Sequence, residues 1–149
     1  MKIMNQAHYH LLFNHLPIIV PMVGFLVLIG GFITRSEVVK RTAYFIFTLG
    51  ALFTFPAFAT GEGAEDIAKG IKGIGRGVIH EHEESAETFA LLSYGLGVVS
   101  IIALWSNWKR KSFSNALAVI VIICAAVVMF FAQQTGLSGG QIRHTEIRE

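Results

Sequence analysis

Leu11-Leu-Phe-Asn-His15-Leu-Pro17-Ile-Ile-Val-Pro21-Met-Val-Gly-Phe-Leu-Val-Leu-Ile-Gly-Gly-Phe-Ile-Thr34 runs for 24 residues without an Asp, Glu, Lys or Arg. A helix needs about 20 such residues to cross the roughly 30 Å hydrocarbon layer of a bilayer, so the stretch reads as a membrane span. Pro17 and Pro21 fall in its first turns, where a missing amide donor costs least; they predict a kink near the start and not a break.

The same rule finds three more windows. Residues 42–60 are charge-free and rich in Phe, with Pro56 bending the far end. Residues 88–108 follow a polar lead-in, so the third helix is placed from about 85, or starting earlier, at Val78. Residues 112–134 are rich in Ala and β-branched side chains, and glycines after Gln134 mark the end of the periodic pattern. Trp105 and Trp108 stand where interfacial tryptophans anchor a span.

The expected fold is therefore all-α: one polytopic membrane domain over residues 1–149, a four-transmembrane-helix bundle with spans at about 11–34, 42–60, 85–108 and 112–134. Residues 61–84, punctuated by Gly70, Gly73, Gly75 and Gly77, form the long connection, irregular or briefly helical.

Composition agrees. Apolar residues make up 53% of the chain and the mean hydropathy is +0.58, above what a soluble domain of this length carries. The single cysteine, Cys124, lies inside an apolar run, so one chain has neither a disulfide framework nor a CxxC metal site. No CxxCH is present to attach a c-type haem. The glycines follow no strand and form no dinucleotide fingerprint. Nucleic-acid binding has no support, because the basic residues lie in short turns whose charge topology already explains. The amino terminus lacks a small-residue cleavage site and is read as retained.

Arg35, Lys40 and Arg41 flank one short turn and Lys109, Arg110 and Lys111 the other, against a single acid, Glu37. The positive-inside tendency puts both turns in the cytoplasm. Both termini and the long connection then lie on the outer, periplasmic side of a bacterial inner membrane. Nine of the ten acids join them, as do all six histidines, His8, His10, His15, His80, His82 and His144.

Chemistry concentrates in His80-Glu81-His82-Glu83-Glu84, with Glu87 one turn on. On a helix, His82, Ala86, Phe89, Ser93, Gly97 and Ser100 share one stripe of mostly small residues, the face that a membrane helix turns towards its neighbours. His82 would then point inward and His80 partly away. Haem b held by two histidines needs neutral imidazoles projecting inward from facing helices. His15 and His82 meet that topology, with His10, His80 and His144 as substitutes. The rival chemistry is a bare zinc, copper or non-haem iron ion on His80, His82, Glu62, Glu65 and Glu87. An acid-rich helix start, favoured by the helix dipole, explains Glu83, Glu84 and Glu87 without any metal.

His10-Leu-Leu-Phe-Asn-His15-Leu-Pro17 resembles the opening motif of a family of small four-span bacterial membrane proteins catalogued as a domain of unknown function. Thr60-Gly-Glu-Gly-Ala-Glu65 and His80-Glu-His-Glu-Glu84 resemble it too. The family is grouped with two-haem membrane cytochromes of the b kind, so the resemblance implies haem ligation at helix ends, by His10, His15 and His82. No histidine lies at the cytoplasmic end of any span, so a second haem stacked across the bilayer has no ligands here. The expected role is an electron-transfer or redox-sensing subunit embedded in the bilayer. Its expected partners are a redox protein or quinone, and a second copy or a larger respiratory complex; a purely structural subunit is the remaining reading.

Overall fold

Ser36 and Arg35 set where the second span begins. The Ser36 hydroxyl accepts from the Val39 N–H at 3.4 Å and caps the helix, as serine commonly does at this position. Arg35 takes a left-handed conformation, φ 54°, and lets the Ser36 N–H reach back to the Gly31 carbonyl at 3.1 Å. The other short turn repeats the device: Arg110 has φ 50°, and the Lys111 N–H bonds the Ser106 carbonyl at 2.9 Å. Glycine normally holds that position.

The computed structural model describes residues 5–71, 73–144 and 146. The helices are α1 (Gln6–Phe13), α2 (Leu16–Ile33), α3 (Glu37–Ala59), α4 (Gly61–Lys69), α5 (Arg76–Trp108) and α6 (Ser114–Arg143). Four stretches are long and apolar enough to cross a membrane: Gln6–Ile33, Glu37–Lys69, Arg76–Trp108 and Ser114–Arg143. α2 packs on α3, α3 on α5 and α5 on α6, and α6 returns to α2 to close the bundle. Leu28, Tyr44, Phe47, Leu96, Val121 and Val128 form its centre.

The exterior is as apolar as the core. Leu91 is 73% exposed, Phe55 68% and Leu26 64%; a continuous surface of this kind fits lipid as the solvent. Inside, the stripe on α5 is turned inward: Phe89, Ser93, Gly97 and Ser100 are buried, and His82 and Ala86 half-buried. A Cβ added at Gly97 would lie 2.5 Å from the Ala51 Cβ, so the α5 backbone at Gly97 lies close against the Ala51 methyl of α3.

Between α1 and α2, Asn14 and His15 interrupt the hydrogen-bond ladder but keep helical dihedrals, φ −61° and −83°, as expected of a kink near the start. Pro17 has no N–H for the Phe13 carbonyl, and its ring crowds that carbonyl, so the ladder opens there. Two boundaries depart from the sequence reading. α5 starts at Arg76, ahead of the expected 85, and α6 runs to Arg143, past the expected 134. Polarity had marked the edge of the apolar window, not the end of the helix. At about 1.5 Å per residue, the 33 residues of α5 extend roughly 50 Å, about 20 Å more than the hydrocarbon layer. The connection is helical as well: α4 occupies its first nine residues and packs mainly on α1.

Candidate functional site

The ends of α1, α3, α4, α5 and α6 opposite the basic turns gather two imidazoles. α1 is started by Asn5, whose side chain accepts from the His8 N–H at 3.1 Å. One turn later, His10 Nδ1 donates to the Ala57 carbonyl at 3.0 Å. That carbonyl lies in the last turn of α3, where helix acceptors lack a partner along the axis; the Thr60 hydroxyl shares it at 3.2 Å. α1 can sit this close because α4 begins with glycines. A Cβ at Gly61 would touch the His10 ring at 3.8 Å, and one at Gly63 would collide with the Gln6 side chain.

His82 faces α6. Its Nδ1 lies 3.0 Å from the Ser138 hydroxyl oxygen, and that hydroxyl donates to the Thr135 carbonyl at 3.1 Å. With its own proton committed to Thr135, the Ser138 oxygen accepts, so His82 Nδ1 carries the hydrogen. Thr135 in turn donates to the Ser85 carbonyl at 3.1 Å, tying α6 to α5 at the same level. A Cβ at Gly139 would come within 3.0 Å of His82 Cε1, so the ring lies against the α6 backbone.

A hydrogen on Nδ1 suits both bonds and would leave each Nε2 with a lone pair. Glu65, on α4, is paired with Lys69 at 2.9 Å.

The other expected residues lie apart from this pair. His15 is exposed at the start of α2 and makes no side-chain cap bond. His80 is exposed and reaches Glu83 at 3.6 Å and Glu84 at 3.4 Å on its own helix. His144 pairs with Glu146 at 2.9 Å; the Glu146 carboxyl is held below the usual range by its own backbone N–H first and by His144 next. Glu62 and Glu87 are exposed. Among the described residues no three His, Cys, Asp or Glu side chains converge as a metal site. The set His80, His82, Glu62, Glu65 and Glu87 does not assemble, because His80, Glu62 and Glu87 point to solvent and Glu65 is taken by Lys69.

Donor number then separates the two cofactor chemistries. A bare zinc ion needs three or four protein ligands. Haem iron takes four nitrogens from the porphyrin and one or two from the protein, so a pair of imidazoles with free Nε2 atoms suits haem and falls short for a bare ion.

No family model, curated protein or solved structure matches this chain. Ser138, Gly139 and the Ala57 carbonyl were not anticipated from sequence. One signal could have found Ser138: the three-and-four spacing of Ala118, Val121, Ala125, Val128 and Ala132 continues as Thr135 and Ser138.

Proposed function

We propose that this chain is a multi-pass protein of the bacterial inner membrane, with both termini and the histidine site on the outer side. His10 and His82 would hold one b-type haem, and the protein would serve electron transfer or redox sensing. The observation behind this reading is the matched pair of tethers, Ala57 carbonyl on His10 and Ser138 hydroxyl on His82. Histidines that ligate a metal commonly donate their other ring hydrogen in this way, which fixes tautomer and orientation. The basic turns at the opposite end support the orientation.

Haem, when bound, supplies one-electron redox chemistry. The chain's residues do the rest. Ala57 and Ser138 keep the Nδ1 hydrogens in place, and Gly139 lets the His82 ring approach α6.

The full-length protein, purified after expression with ample haem, is expected to show a Soret band and a reducible α band. His10→Ala and His82→Ala should each abolish the bis-histidine spectrum, while His15→Ala, His80→Ala and His144→Ala retain it. A colourless protein, or a spectrum that survives both of the first two substitutions, refutes the assignment.

A further inference from the structure

The end of the bundle away from the histidines carries a second site. A cleft of about 400 Å³ opens between α3, α5 and α6, lined by Glu37, Arg41, Asn107, Arg110, Lys111 and the first residues of α6. Three of these are cations and one is a carboxylate. That carboxylate is already engaged: Glu37 accepts from Lys40 Nζ at 2.8 Å and from the Asn107 amide. Arg41 is fixed in place, because its Nε donates to the Asn107 carbonyl oxygen at 2.7 Å. One of its five donors is used, and the planar fork is held ready for an oxyanion. Ser114 and Asn115 line the cleft at the start of α6, where no side chain caps the helix; its leading amides add donors suited to a phosphate.

An apolar groove of about 410 Å³, lined by Ile101, Leu104, Trp105, Trp108 and Lys109, lies beside it. The two tryptophans join the sites. The Arg41 guanidinium stands 6.0 Å over the Trp108 ring and Lys111 Nζ 5.6 Å over Trp105. Charged recess on one side and hydrocarbon-lined groove on the other match an amphiphile with an anionic head.

We propose that this end binds an anionic phospholipid, with the phosphodiester in the basic cleft and an acyl chain along the tryptophan groove. A free phosphate offers the same head chemistry but leaves the groove without an occupant.

Trp105 and Trp108 are the two tryptophans of the chain, so intrinsic fluorescence reports on this site. The full chain is reconstituted in phosphatidylcholine vesicles containing dibrominated phosphatidylglycerol or dibrominated phosphatidylcholine at fixed ionic strength. Half-maximal quenching by the anionic lipid is expected at a mole fraction about fivefold lower, the electrostatic weight of one basic residue at an anionic surface. Arg110→Gly with Lys111→Gln should erase most of that preference. Neither change touches the Arg41–Asn107 bond, and glycine suits the left-handed backbone at 110, so circular dichroism should be unchanged. Equal quenching by the two lipids, or full preference in the double variant, overturns the proposal. Loss of the preference on adding excess inorganic phosphate assigns the cleft to a soluble anion and also overturns it.

Discussion

Gly97→Ala tests how closely α3 and α5 approach. The new methyl would sit 2.5 Å from the Ala51 Cβ, whereas carbon atoms pack best at about 3.5–4.0 Å. Both atoms are fixed to helix backbone, so no rotamer can relieve the clash. The helices must part by about 1 Å, and overpacking of this kind costs about 1–3 kcal/mol. Ala51→Gly removes the opposing methyl and alone should cost about 1 kcal/mol through helix propensity. Combined with Gly97→Ala it restores the local volume, so the double variant should be more stable than the sum of the singles by at least about 1 kcal/mol. Reversible unfolding in mixed micelles, followed by circular dichroism, measures all four corners of the cycle. A neutral Gly97→Ala, or strictly additive singles, would show that the Gly97 backbone and the Ala51 methyl are not in contact.

Arg35→Gly should stabilise the protein by about 0.5–1 kcal/mol, because the left-handed backbone penalises a side chain with a Cβ; a lower unfolding midpoint would contradict it. Ser138→Ala takes away the acceptor for His82 Nδ1 and is expected to weaken haem retention about 10–100-fold in titrations, with Ser138→Thr recovering most of it. Unchanged retention in Ser138→Ala would detach Ser138 from the site. Asn107→Ala cuts the bridge from Glu37, which is exposed, to Arg41, which is half-buried, so a loss of about 0.5–1.5 kcal/mol is expected in the same unfolding assay; no measurable loss would mean that the bridge is not formed in the micelle.

The four apolar stretches were legible because a charge-free window of 19 residues or more has one dominant solution in lipid. The inward stripe on α5 was legible for a related reason, since small residues at helical spacing invite a neighbour. What hydropathy hid was helix that is not apolar. Residues 76–84 and 135–143 are polar or glycine-rich, yet they continue α5 and α6 because each packs on the other, with Thr135 on Ser85 and Ser138 on His82. The histidine partner was misplaced because spacing says which residues share a face and not which face turns inward. His8 and His15, seven apart, are both exposed, while His10 on another face turns to Ala57.

The overhang of α5 and α6 has a mechanical corollary. Helices that run on unbroken past their apolar windows act as stiff posts, so the position of His82 relative to the bundle is set by residue count and not by loop conformation. In a bilayer, a change of thickness would alter how much of each shaft is wetted, while the spacing from His82 to Ser138 stays as it is. Lipid thickness would then tune the exposure of the ring without disturbing the contact that holds it.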